Sequence, residues 1–196
     1  SHHIGGLIFF RGQAATIARL TNQYQALANC PLMMAMDAEW GTNMRVNTAV
    51  KFPRQLMMGA LQNNAYIYEF GAAVAAECKA MGIHINFAPV VDVNNNPANP
   101  VIGDRSFGES RENVTAKSFQ YIKGLQDQGI MACAKHFPGH GDTDVDSHKD
   151  LPVIPHGTSR LDSIELYPFK NLIQHGVQSI MVAHLQIPAL DSTPHL

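Results

Sequence analysis

The chain has 196 residues, 45% of them apolar and 15% charged, with a formal net charge of −2, the composition of a folded domain with a sizeable core rather than a disordered tail. The near-neutral balance and the lack of any Lys/Arg run exclude the electrostatic footprint of a nucleic-acid binder, and no apolar run approaches the roughly eighteen residues of a membrane span. The start, Ser1-His2-His3-Ile4-Gly5, lacks the basic-then-apolar layout of a signal peptide, yet removal of one from a precursor would leave such a start, so cytoplasmic, periplasmic and secreted locations stay open.

In chain order, the first strand-like run is 7–10, followed by a helix on which Ile17, Leu20, Tyr24 and Leu27 keep helical spacing. A second apolar run covers 32–36. Ile67, Phe70, Gly71, Val74, Cys78 and Met81 then form one helical face, with Gly82 placed as a C-terminal stop. The run 83–88 is a third strand. A helix opening near Ser110 carries Val114, Tyr121, Ile122 and Leu125 and ends at Gly129, and 131–134 is the fourth strand. A last helix is expected from Pro168, a good first-turn residue, to Gly176, before a fifth strand at 179–183. The cysteines at 30, 78 and 133 are far apart and without CxxC spacing, which reads as buried free thiols rather than a disulfide framework or a zinc site.

The strand runs are continuously apolar, as in strands covered on both faces, and helices of crossover length separate them. Two parallel α/β architectures fit, a doubly wound sheet and a (β/α)8 barrel. No GxGxxG or GxxxxGK[ST] follows the first strand, which weakens nucleotide-binding versions of the former. Ionisable residues follow four of the strands: Asp37 and Glu39, Asp92, Lys135 with His136, and His184. In barrels the strand C-termini build the active site, so these residues are expected to converge. A complete barrel takes roughly 250 residues and eight strands, more than five strand runs supply.

Three histidines and three aspartates crowd into the stretch 135–148. The HxxxH spacing of His136 and His140 would suit zinc only on a helix, and Pro138 and Gly139 stand between them. Asp142, Asp144 and Asp146 imitate the opening of a calcium loop, but Ser147 and Val153 occupy the positions that need Gly and Glu. No metal is expected. His140, His156 and His175 are read as ordinary core or surface residues. Asp146 and His148, two apart in an extended loop, can face the same side, letting the carboxylate hold one imidazole nitrogen while the other transfers protons.

Lys135-His136-Phe137-Pro138-Gly139-His140-Gly141, then Asp146-Ser147-His148-Lys149 and Leu151-Pro152, closely resembles the signature of glycoside hydrolase family 3, in its β-N-acetylglucosaminidase branch. Further matching blocks are Gly5-Gly6-Leu7-Ile8-Phe9, Met36-Asp37-Ala38-Glu39-Trp40-Gly41 with Arg45 beyond, Asn86-Phe87-Ala88-Pro89-Val90-Val91-Asp92-Val93, Ile102-Gly103-Asp104-Arg105-Ser106-Phe107 and Ile180-Met181-Val182-Ala183-His184. The resemblance implies a TIM-type barrel, present here as about strands two to six, so that residues 1–196 would be part of a catalytic domain. It implies hydrolysis, with retention, of terminal β-linked N-acetylglucosamine from cell-wall-derived glycans or glycopeptides, with no cofactor. His148 would be the general acid/base and Asp146 its partner. Asp37, Arg45, Arg105, Lys135 and His136 would bind the sugar, and the nucleophilic aspartate would lie in a later strand beyond Leu196. On that expectation these residues alone are inactive. Arg45 and Arg105 have a structural alternative, as ion-pair partners of Asp92 or Asp104. Trp40 departs from the family's usual glycine. A family 3 β-glucosidase, a sugar-binding module without catalysis and a metal-dependent barrel hydrolase are the rival readings.

Overall fold

The computed structural model describes residues 4–144 and 151–191. Five strands, β1 (Gly6–Phe9), β2 (Met33–Met36), β3 (Ile85–Asn86), β4 (Met131–Phe137) and β5 (Ser179–Val182), pair in sequence order, and every pairing is parallel. A doubly wound sheet reverses its strand order at a switch point. This sheet does not reverse, which selects an arc of a (β/α)8 barrel.

Among the described residues six α-helices connect or flank the strands: α1 (Ala14–Leu27), α2 (Gln55–Gly59), α3 (Ala65–Ala80), α4 (Arg111–Asp127), α5 (Thr158–Ser163) and α6 (Leu166–Gln174). The apolar face expected on α3 is buried, as is that of α4. Ser110 caps α4 by accepting from the Asn113 amide at 3.2 Å, and Gly82 and Gly129 adopt the positive φ of 72° and 80° that ends each helix. Together with Met34, Met36 and Ala132 these faces form one continuous core.

Several boundaries differ from those read in the sequence. Only Ile85 and Asn86 of the 83–88 run form ladder pairs. Strand β4 runs three residues further than its apolar stretch and contains Lys135 and His136, with a register shift between Lys135 and Phe137. Helix α6 begins two residues before Pro168. Along α1 only Ile17 of the expected stripe is buried, while Tyr24 and Leu27 are exposed beside β1, an edge strand among the described residues. Cys78 and Cys133 are buried but Cys30 is exposed on the loop after α1. Helices α2 and α5, of five and six residues, are too short to show a period.

Helices α3 and α4 cross where both lack a side chain. A Cβ on Gly71 would lie 2.6 Å from the Tyr121 carbonyl oxygen, and one on Gly124 would strike the Tyr68 carbonyl and come within 2.9 Å of the Ala72 nitrogen. Helix propensity alone favours Ala over Gly by about 1 kcal/mol. Here overpacking against backbone dominates, and we expect Gly124→Ala to destabilise the chain by about 1–3 kcal/mol, read as a lowered urea midpoint. An unchanged or raised midpoint would contradict the crossing.

Candidate functional site

The strand ends converge as the sequence suggests, and backbone clamps set their geometry. Asn86, the last residue of β3 and fully buried, uses its side-chain amide to extend the ladder past β2. Its Oδ1 accepts from the Ala38 amide at 2.9 Å, and its Nδ2 donates to the Ala38 carbonyl at 3.3 Å. The Tyr121 hydroxyl of α4 donates to that same carbonyl at 2.8 Å. Ala38 stands between Asp37 and Glu39, so the clamp aims both carboxylates.

Those carboxylates meet the end of β4. The Lys135 ammonium, 3% exposed, lies 2.8 Å from Asp37 and 2.7 Å from Glu39. Arg45, carried by the turn Thr42–Met44, reaches Asp37 on its other side at 3.3 Å and also donates to the Asp37 carbonyl at 3.1 Å. Arg105, at the end of the turn Gly103–Arg105, grips Glu39 with two parallel bonds of 2.7 and 2.9 Å. The result is a chain of alternating charge: Arg45, Asp37, Lys135, Glu39, Arg105. Neither arginine pairs with Asp92 or Asp104; Asp104 instead holds Arg54, whose guanidinium stacks on Trp40 at 4.0 Å.

His136 joins through Arg105, whose Nη2 lies 3.4 Å from Nε2 of the ring. The other ring nitrogen, Nδ1, is 2.7 Å from Asp92, a fully buried carboxylate that also accepts from the backbone amides of His136 and His140. Thus all five residues that the resemblance points to outside the acid/base loop come together. Asp146 and His148 lie outside the described residues. His184 is exposed, and among the described residues no bond ties it to the cluster. His140 is buried in the turn after β4, His156 pairs with Asp142 at 2.7 Å, and His175 caps its own helix at 2.7 Å.

Two carboxylates that the sequence places at strand ends but not among the sugar-binding residues, Glu39 and Asp92, prove integral. Their position at strand ends is the one signal that marks them. Burial alone would raise the Glu39 pKa, but the hydrogen bonds from Arg105 and the charges of Lys135 and Arg105 prevail and hold it at about 2. Burial opposes ionisation of Asp92 too, and the His136 ring with the two backbone amides brings it below the ordinary carboxylate value. Burial depresses His140. The site therefore holds ionised carboxylates matched to fixed cations, an array of donors and acceptors suited to a neutral, hydroxyl-rich ligand. Among the described residues no three His, Cys, Asp or Glu side chains come together as a metal cage, and no helix is long and apolar enough to cross a membrane.

Residues 1–196 match the family described as the glycosyl hydrolase family 3 N-terminal domain. A β-hexosaminidase A from Pseudoalteromonas piscicida is 39% identical over 206 aligned residues, covering 98% of this chain and 34% of that protein. A solved glycoside hydrolase family 3 β-N-acetylglucosaminidase from Paenibacillus sp. superposes with a TM-score of 0.93 at 41% identity, covering 97% of this chain and 38% of that one. NagZ from Neisseria gonorrhoeae in complex with N-trifluoroacetyl-D-glucosamine superposes with a TM-score of 0.90 at 32% identity, covering 97% and 59%. The chain thus spans between about a third and three-fifths of the length of these relatives.

The Glu39 ion pairs carry a pH signature. A carboxyl with a folded pKa of about 2 against an ordinary 4.5 stabilises the fold fully above 4.5, and that contribution is lost as pH falls through about 2. Glu39→Gln leaves the buried Lys135 and the partly buried Arg105 facing a neutral amide. We expect a loss of about 3–5 kcal/mol near neutral pH and a shallower decline of stability on acidification than in the wild type, measured by urea unfolding across the acid range. Parallel acid profiles for the two proteins would refute the assignment.

Proposed function

The chain belongs to glycoside hydrolase family 3 through its N-terminal domain, and from that premise we propose that residues 1–196 form part of the catalytic barrel of a retaining β-N-acetylglucosaminidase. In this reading the chain holds the pocket for the terminal sugar and the acid/base loop. The whole protein acts on cell-wall-derived glycans or glycopeptides. The observation that carries it is the convergence of Asp37, Arg45, Arg105, Lys135 and His136 from three strand ends into one bonded cluster.

Each group has a task in that reading. Asp37 keeps surface, 17% of its side chain, and accepts from sugar hydroxyls. Lys135 spends two of its three donors on Asp37 and Glu39 and directs the third at a hydroxyl oxygen. Arg45 and Arg105, each 22% exposed, flank the ring. A carboxylate from outside residues 1–196 attacks the anomeric carbon and forms a glycosyl-enzyme. His148, steered by Asp146, protonates the departing aglycone oxygen and later removes a proton from the attacking water.

The test uses the full-length protein. His148→Ala should slow glycosides with poor leaving groups by about 100-fold or more, the usual worth of a general acid, while aryl glycosides that leave unaided lose far less. Equal losses on both series would remove His148 from the acid role. Aryl N-acetylglucosaminide should be cleaved in preference to aryl glucoside, and the reverse preference would replace the proposed substrate.

A further inference from the structure

We infer that Asp92 is a positioning residue that fixes the tautomer of His136, so that the ring offers a lone pair at Nε2, and that a ligand hydroxyl donates its hydrogen there. The second half rests on the sugar-pocket reading above; the first half stands on geometry alone.

Asp92 is 0% exposed, and three of the four contacts to its carboxylate come from backbone amides, which can only donate. Its Oδ1 accepts from the His140 amide at 2.6 Å and the His136 amide at 3.2 Å, and its Oδ2 lies 3.2 Å from that amide and 2.7 Å from His136 Nδ1. Backbone amides are aimed at both carboxyl oxygens, an arrangement that favours the ionised form, so Asp92 is an acceptor. A contact of 2.7 Å with Nδ1 then requires the hydrogen to sit on Nδ1. A neutral imidazole carries one hydrogen, so Nε2 is left with its lone pair. The far side of the ring agrees independently. Nε2 faces Nη2 of Arg105 at 3.4 Å, and a guanidinium can only donate, so a hydrogen on Nε2 would oppose another.

The consequence lies in the balance of donors and acceptors at the open side of the cluster. Arg45, Lys135 and Arg105 supply donors and no acceptor. Of the carboxylates, Glu39 and Asp92 are buried, at 1% and 0% exposure, with their oxygens already engaged. That leaves Asp37 and His136 Nε2, each on a side chain 17% exposed, to receive hydrogens from a ligand, a hydroxyl at Nε2 taking the place of the long 3.4 Å contact from Arg105. A hydroxyl meets both demands at once, accepting from Arg105 or Lys135 and donating to Nε2. An ether or carbonyl oxygen at the same place meets only the first. Asp92 therefore tunes the pocket toward a hydroxyl without touching the ligand.

Long-range 1H–15N NMR on the labelled full-length protein reads the tautomer directly, with the His136 signals identified by their loss in His136→Gln. We expect the neutral ring to carry its hydrogen on Nδ1. An Nε2–H ring overturns the inference and leaves the sugar reading untouched. In Asp92→Asn the ring should move toward Nε2–H, and N-acetylglucosamine, titrated calorimetrically, should bind roughly threefold to tenfold more weakly, the worth of one neutral hydrogen bond. A variant that keeps the Nδ1–H tautomer refutes the positioning role, and a merely structural Asp92 would lower the melting temperature without moving the tautomer. Should the variant fail to fold, the wild-type spectrum decides alone. If the wild type shows Nδ1–H but takes up no sugar, the proposed function fails and Asp92 keeps its assignment.

Discussion

A buried ammonium must be surrounded by anions, and the arrangement of the cluster follows from that requirement at Lys135. The cost of taking such a charge out of water amounts to several kcal/mol even after relaxation. Asp37 and Glu39 offset it from either side at 2.8 and 2.7 Å, but Glu39 is itself buried and needs a cation, which Arg105 supplies with a two-pronged grip. Asp37 in turn is balanced by Arg45. Each charge is tolerable only because of the next. Exposure rises outward along the chain, from 1% at Glu39 and 3% at Lys135 to 22% at both arginines. The inner members form a frame, and the outer ones keep surface with which to meet a ligand.

The frame is precise because the barrel arc delivers it through backbone. Asp37 and Glu39 flank Ala38, whose amide and carbonyl are held by Asn86 and Tyr121. Lys135 and His136 belong to β4 itself, at the register shift beside β5. Lys135 turns to the carboxylates after β2 and His136 to Asp92 after β3. Side chains anchored in strands and clamped at both neighbours lose little further freedom on meeting a ligand, which is how preorganisation raises affinity. The same clamps couple α4 to the site, since Tyr121 lies on the face of that helix that also packs on α3 across Gly71 and Gly124.

Much of this was legible in the chain because it follows from periodicity. Continuous apolar runs marked all five strands, and the faces of α3 and α4 stood out because one-sided burial writes a 3.6-residue period. The parallel, crossover-linked layout followed from their alternation; periodicity left two architectures open, the family resemblance pointed to the barrel, and the observed strand order agrees with it. Boundaries were less legible where polar function interrupts the pattern. The two charged and titratable residues of β4 ended its apolar run early, while the ladder continued to Phe137. The stripe of α1 misled at Tyr24 and Leu27, since periodicity records which residues can be buried and not what covers them. Partner choice within the cluster was invisible. Sequence spacing gives no means to tell that Arg105 would take Glu39 and leave Asp104 to Arg54, because those pairs are set by how three loops meet in space.

The composition of the cluster bears on the kind of ligand it suits. Three carboxylates, Asp37, Glu39 and Asp92, stand beside three cationic side chains, Arg45, Lys135 and Arg105, so the formal charges of these six cancel. A site for a phosphate or a carboxylate would leave an excess of positive charge for the ligand to neutralise. Here no such excess remains. What remains are donors on arginine and lysine beside acceptors on Asp37 and the imidazole, and a ligand that both gives and receives hydrogen bonds at neighbouring oxygens exploits every one of them. A sugar hydroxyl is such a group, and an uncharged ring edged with hydroxyls presents several at fixed spacing. The cancellation that makes the buried lysine tolerable thus also makes the pocket selective, since a charged ligand would have to displace a partner already in place.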